Sequence, residues 1–297
     1  MITFVIYHVP MPEETVKSSS VLPNFHDKGF DYEQILNLAF RSARVFHPEC
    51  RLVLLTSLQH KPVFSQEISE TVEIFRYDVD HTQPIVWRSW AELKFLEQHD
   101  FNSHIVMMDS DMLINANLKD IFEENFDVGL TYNGGKSKAD KKMPINGGLK
   151  IVHAHKRDAA IAFSQKIYEL CNSEHLAQYR TWWGDQYALI EAIGHNNFWH
   201  RDSDRILSEG DATSILLLPC NKYNFSPTCK AKAIRKKWND KSIIHFRGPR
   251  KQFMSMYWNL YLSVLEKRDF KCLMRVLITR IYLWIIVSRD VVFGKFA

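Results

Sequence analysis

The 297-residue sequence contains no Cys-x-x-Cys pair, and its five cysteines, at positions 50, 171, 220, 229 and 272, are odd in number and widely spaced. This argues against a zinc knuckle or a disulfide framework and fits reduced thiols in a cytosolic compartment. Long apolar runs are also missing. The longest uncharged stretch toward the C-terminus, IYLWIIVS from Ile281 to Ser288, falls well short of the ~20 residues that cross a bilayer, so no transmembrane span is expected. The opening residues, MITFVIYHVP, have no basic lead-in and read as a strand, not a signal peptide. Internal repeats and low-complexity linkers are absent. So is a basic body: of the formal charge of +4, Lys267–Ala297 carries seven Lys or Arg against two Asp, and residues 1–266 therefore sum to about −1. Nucleic acid is not an expected partner.

What remains is an ordinary globular composition, 46% hydrophobic and 24% charged. The first hundred residues alternate. Strand patterns at Thr3–Val9, RLVLLTS (Arg51–Ser57), TVEIFRYDV and Ser103–Met108 are separated by helical spacing over Tyr32–Phe46 and over PIVWRSWAELKFLEQH, which opens at Pro84. Such alternation predicts an α/β fold with a doubly wound sheet, whose ligands sit outside the carboxyl ends of the strands. Beyond residue 130 the pattern loosens. TYNGGKSKADKKMPINGG reads as a loop over the site, with a strand expected at Lys150–His153 and a helix at Lys156–Cys171.

One strand runs into two acids. SHIVMMDSDMLIN places Asp109 and Asp111 one residue apart at a predicted strand end. Two carboxylates there can present hard oxygen ligands to Mg²⁺ or Mn²⁺, and through the ion to a diphosphate. The tripeptide alone is weak, because Asp-x-Asp also occurs in solvated turns.

VMMDSDMLI resembles the Asp-x-Asp segment of the GT-A glycosyltransferases, in particular the retaining group that includes glycogenin and bacterial lipopolysaccharide galactosyltransferases. Four further segments follow in that family's order over residues 1 to about 255: WAELKF, INGGLKIV, WWGDQYAL and HFRGPRK. The tryptophan that often follows the late lysine is replaced by Gln252 and Phe253, and the N-terminal nucleotide-binding segment matches only loosely. The resemblance implies a Rossmann-like nucleotide-diphospho-sugar transferase with a mixed sheet flanked by helices, over residues 1–266. It implies a metal site of Asp109, Asp111 and His245, with imidazole favouring Mn²⁺ over Mg²⁺. Asp109, Ser110, Asp111, Gly248 and Lys251 would meet the nucleotide diphosphate, with Arg247 and Arg250 as further cations. Asp185, Asn146 and Lys94 would face the sugar. The implied donor is a nucleotide-sugar, expected as UDP-sugar, and transfer would retain anomeric configuration. Plainer roles stay open: His245 as a packed histidine, Gly248 as a turn glycine, Lys94 as a solvated helix residue, and Asp185 as a helix N-cap.

The tail, residues 267–297, interleaves basic and apolar residues. At 100° per residue Arg268, Lys271, Arg275 and Arg289 share one face while Arg280 lies away from it, which suggests an amphipathic helix on an anionic membrane surface. The alternative is a terminal helix packed on the core with a solvated basic face. A membrane-associating tail points to an oligosaccharide or glycolipid acceptor, in lipopolysaccharide or other cell-surface polysaccharide synthesis, and to a cytoplasmic protein peripheral on the inner face of the membrane. Two competing readings remain. A haloacid-dehalogenase-like phosphatase would use Asp109 as nucleophile, although HFRGPRK has no role in it, and a non-catalytic protein would bind sugar nucleotide without turnover. Trp182, Trp183, Trp199 and Tyr223 are candidates for stacking on sugar rings, with core packing the commoner use of any one of them.

Overall fold

Thr3 is the single polar side chain within ITFVI, and this run becomes the central strand β1 (Ile2–Tyr7) of the computed structural model, which describes residues 1–10, 30–134, 142–199, 203–267 and 269–293. β1 pairs in parallel with β2 (Arg51–Ser57) on one side and with β4 (His104–Met108) on the other, and β3 (Val72–Tyr77) extends the sheet beyond β2. Beyond β4 lie β7 (Ile145–Val152), β6 (Val128–Tyr132), β9 (Ser214–Pro219) and β8 (Arg205–Leu207), giving the order β3-β2-β1-β4-β7-β6-β9-β8. The first four strands are parallel, as their alternation with helices predicts. The second half is mixed, because β7 runs antiparallel to both β4 and β6.

Alternate side chains of β1 serve two cores. Phe4 and Ile6 pack with Leu36 and Phe40 of helix α1 (Tyr32–Phe46), while Val5 packs with Ala91 and Phe95 of α2 (Pro84–Gln98) on the opposite face. α1 begins where Asp31 accepts a hydrogen bond from Gln34 N at 2.9 Å, and α2 begins with a proline in its first turn, where a missing N–H costs nothing. α3 (Arg157–Asn172) and α4 (Gly184–Ile193) cover the β6–β7–β9 part of the sheet.

Two features beyond residue 100 position the site. A separate two-stranded sheet joins β5 (Met112–Ile114) to β10 (Ile243–His245), with Met112 opposite His245. β7 starts five residues before the strand expected at Lys150, because Ile145 and Asn146, ahead of the two glycines, already pair with Tyr132 and Thr131 of β6. Its register against β6 jumps between Leu130↔Lys150 and Thr131↔Asn146, a bulge that turns Gly147–Leu149 out of the β6 ladder while Leu149 still pairs with Met108. Of the expected loop over the site, residues 135–141 lie outside the described residues.

The tail forms α5 (Phe270–Phe293). A narrow seam of Cys272, Thr279, Leu283 and Val287 is buried, and the last two belong to the same core as α1. The outward face is apolar, not basic: Phe270, Leu273, Leu277, Ile281, Trp284 and Ile285 are all exposed. Lys271 and Arg275 lie along one border of that face and Arg280 along the other, so the arginine that falls outside the predicted basic stripe completes a flank. Arg268 and the side chain of Arg289 lie outside the described residues. Among the described residues no helix is long and apolar enough to cross a membrane.

Burial pushes the imidazoles of His8, His47 and His104 down to about 4. These rings stay neutral in the fold while the unfolded chain takes up protons near pH 6.5. Stability is therefore complete above that pH and is lost progressively as pH falls toward 4. The melting temperature is expected to drop by about 3–5 °C between pH 7 and pH 5, read by scanning calorimetry, and a flat profile would contradict the assignment.

Candidate active site

β4 ends at Met108 beside the point where strand order reverses between β1 and β4, the usual crevice of such sheets. The chain then turns sharply: Asp109 N donates to Gly148 O at 2.9 Å and Met112 N donates to Asp109 O at 3.2 Å. The β5–β10 pairing carries His245 across 134 residues to this turn, and Phe246 N fixes it by donating to Asp111 O at 2.8 Å. The result brings one ligand atom each from Asp109, Asp111 and His245 within 4.8 Å of one another. His245 Nε2 is 3.1 Å from Asp111 Oδ1 and 3.5 Å from Asp109 Oδ2. Lys251 Nζ lies 3.3 Å from Asp111 Oδ2. Asp111 is only 6% exposed. Burial alone would raise its pKa, but the His245 imidazole and the Lys251 ammonium outweigh it and hold the carboxyl well below the usual range.

Asn224, which carries no recognisable signal in the sequence, sets the tautomer of His245. Its Nδ2 donates to Thr131 Oγ1 at 2.8 Å and to Asn146 Oδ1 at 3.0 Å, so its Oδ1 faces His245 Nδ1 at 2.8 Å. Thr131 Oγ1 in turn donates to the Asn146 carbonyl at 3.0 Å, which anchors the chain to β7. Nδ1 must therefore carry a proton, which leaves Nε2, facing the two carboxylates, as the ring nitrogen a cation would take in place of a proton. Asn146 Oδ1, which the resemblance places at the sugar, accepts from Asn224 and from Gly148 N at 3.0 Å, so it serves this support. Asn224→Leu is expected to weaken Mn²⁺ binding by about 10–100-fold, read by electron paramagnetic resonance of free Mn²⁺. Asn224→Asp keeps the acceptor and should fall between the two, whereas equal affinity in all three would remove Asn224 from the site.

A second charged cluster adjoins the first. Arg88 Nη1 is 2.8 Å from Asp109 Oδ1 and 3.7 Å from Asp185 Oδ2. Its Nε donates to Glu92 Oε1 at 3.0 Å, and Glu92 Oε2 meets Lys150 Nζ at 2.8 Å. Burial pushes the Asp185 carboxyl above the usual range, opposed by Arg88 and reinforced by Asp109. Burial also works against the charges of Arg88 and Glu92, yet their partners win: Arg88 is raised and Glu92 lowered. Both stay ionised.

The cation that α2 brings to this place is Arg88, not Lys94. Lys94 Nζ pairs with Glu97 at 2.7 Å, and its position six residues on turns it about 120° away from Arg88. The recoverable signal was Arg88 four residues before Glu92 on one face of the helix. Asp185 does not cap α4 either. Trp183 holds the cap position with φ +69°, and Asp185 sits in the first turn, accepting from Gln186 N at 2.9 Å. A non-glycine residue in that region costs about 1–2 kcal/mol.

Two glycines allow the approach of β7. A Cβ on Gly148 would come 2.6 Å from Asp109 Oδ2 and 3.0 Å from the His245 ring, and one on Gly147 would come 2.5 Å from Asp185 Oδ2. Gly248 adopts φ +62° ahead of Pro249 and opens the short 3₁₀ helix Gly248–Phe253 that carries Lys251. Arg250 is tied to backbone, its Nε donating to Pro227 O at 2.5 Å, whereas Arg247 stays exposed. Ser110 is half-buried at the turn between the two aspartates.

No protein-family model matches the sequence, and no curated protein matches it. Among solved structures, the apo-form glycosyltransferase GlyE of Streptococcus pneumoniae TIGR4 superposes with a TM-score of 0.51 at 14% identity, over 89% of this chain and 61% of that one. The fold is that of the GT-A glycosyltransferases. Two further solved glycosyltransferases align at TM-scores of 0.49. One, involved in glycosylation of the major capsid of PBCV-1, is 15% identical over 86% of this chain and 98% of its own. The other, galactosyltransferase LgtC in complex with donor and acceptor sugar analogs, is 12% identical over 92% and 99%. Within this GT-A fold, two carboxylates and one imidazole could hold a divalent cation.

Proposed function

We propose that this chain is a metal-dependent glycosyltransferase that moves a sugar from a nucleotide-sugar to a glycan or glycolipid acceptor. The observation that carries it is the convergence of Asp109, Asp111 and His245 with Lys251 at the switch point of a GT-A sheet. A divalent cation held there would neutralise charge growing on the leaving diphosphate. Lys251 adds a fixed positive charge beside Asp111, and Gly248 keeps the backbone low at that end. On the sugar side, Arg88 holds Asp185 in place, and the raised pKa of that buried carboxyl suits hydrogen bonding to a sugar hydroxyl. UDP is the nucleotide we assign, and retention the stereochemical outcome, both on the family resemblance.

Residues 1–266 would form the catalytic unit and α5 the element that meets a membrane. The exposed apolar face of α5, bordered by Lys271 and Arg275 on one side and Arg280 on the other, suits a helix lying in an anionic headgroup layer, with the seam holding the body against it. A lipid-linked acceptor, as in lipopolysaccharide synthesis, follows from that placement. The phosphatase alternative is disfavoured by Asp109 itself, since Arg88 engages one oxygen and His245 faces the other.

Calorimetric titration of the full chain with UDP, with and without Mn²⁺, tests the reading. Mn²⁺-dependent binding is expected. Absence of binding to UDP, and then to CMP, GDP and dTDP, would overturn it.

A further inference from the structure

Four aromatic residues stand out as candidates for stacking on sugar, and the fold separates them. Trp199 and Tyr223 are packed against the core clusters, whereas Trp182 and Trp183 remain 37% and 42% exposed. Trp183 does so at φ +69°, where a bulky side chain is strained and glycine is preferred. Capping does not explain the choice, because the Trp183 side chain makes no cap hydrogen bond to α4. Core packing does not explain it either, since the ring is exposed.

The turn that presents the pair is tied down at several points. Trp182 N donates to Tyr179 O at 3.0 Å, and Ile85 N, in the first turn of α2, donates to Arg180 O at 3.1 Å. The Arg180 guanidinium donates to the carbonyls of Asn172 at 2.6 Å and Ser173 at 3.2 Å. Gly184 lies so close that a Cβ there would come 2.8 Å from Tyr179 O. The two indoles therefore stand on a fixed turn, and two residues after Trp183 comes Asp185, held by the same helix α2 through Arg88. Two exposed indoles on a fixed turn, two residues before a buried carboxylate in the chain, suit a ring with an apolar face and polar edges.

We propose that Trp182 and Trp183 form a stacking platform for a pyranose ring of the acceptor, on the Asp185 side of the site. The assignment to the acceptor rests on the transferase reading above. Stacking on a C–H-rich sugar face needs no charge, so a neutral pyranose suffices as the occupant.

The test is saturation-transfer NMR on the full chain with lactose and cellobiose as probes, alongside calorimetry with UDP and Mn²⁺. Saturation of the pyranose ring C–H protons is expected, falling at least about fivefold in Trp182→Ala and in Trp183→Ala, with UDP–Mn²⁺ affinity within about twofold. Trp183→Gly removes the ring and suits the backbone, so it should melt above Trp183→Ala and lose the same saturation, which separates a lost contact from a lost fold. Unchanged saturation in the variants, or none in the unmodified chain with either disaccharide, would overturn the proposal. If UDP–Mn²⁺ fails to bind while saturation still depends on the tryptophans, the platform stands as a sugar site and the transferase reading falls.

Discussion

Glu92→Gln is expected to lower the free energy of unfolding by about 3–5 kcal/mol, because it removes the one anion between two buried cations. Glu92 is buried in α2 and meets Arg88 at 3.0 Å and Lys150 at 2.8 Å. Glutamine keeps the shape and can still accept one hydrogen bond, but it can neutralise neither partner. Lys150, on β7 and itself buried, then faces a neutral amide. Urea unfolding followed by circular dichroism reads the loss directly, and a change below about 1 kcal/mol would mean that the network does not hold the fold. Glu92→Leu with Lys150→Met should recover much of the loss, since a buried pair replaced by apolar residues of similar volume is often neutral. It would still leave Arg88 without its Glu92 anchor, so stability and sugar-side function should separate in that variant.

Asp111→Ala is expected to weaken UDP binding in the presence of Mn²⁺ by at least about 100-fold, or about 2.7 kcal/mol. The sign of the metal-free result carries the argument. Without a cation, Asp111 presents negative charge to an incoming diphosphate, so its removal should leave UDP affinity unchanged or higher and free Lys251 from its 3.3 Å pairing. A residue that touched the nucleotide directly would lose affinity in both conditions. Equal losses with and without Mn²⁺ would therefore rule out a metal-bridging role for Asp111.

The parallel half of the sheet was readable because its signals are local. RLVLLTS and Tyr32–Phe46 match β2 and α1 residue for residue, the first as a continuous apolar run and the second through its helical spacing. The strand that leads into the two aspartates, β4, was readable for the same reason. β7 was not, since a glycine pair following a lysine-rich segment looks like a turn until the residues flanking it pair with β6 on one side of the pair and with β4 and β6 on the other. His245 was singled out by the resemblance of HFRGPRK to a glycosyltransferase segment, yet what brings it to Asp111 is the three-residue pairing of β5 with β10, too short to leave a period. Arg88 and Asn224 show the limit more plainly. Their work depends on where neighbouring side chains point, and a choice between Arg88 and Lys94 on one helix turns on a rotation that only packing fixes. The tail was legible as basic and apolar, but which of its faces would meet solvent depended on the buried seam.

Gly147 and Gly148 make β7 a ruler. The first faces the Asp185 carboxylate and the second faces Asp109 and His245, so one peptide unit, about 3.8 Å between Cα atoms, sets the offset between these two groups, at which we propose that a sugar is held and its diphosphate neutralised. Neither end can be moved alone without inserting a residue between Asn146, held in the β6 ladder, and Leu149, held against Met108 of β4. Attempts to re-engineer such a chain for a bulkier donor would find no tolerance along this floor. Useful variation would have to come from the walls, where side chains can be exchanged without changing the gauge.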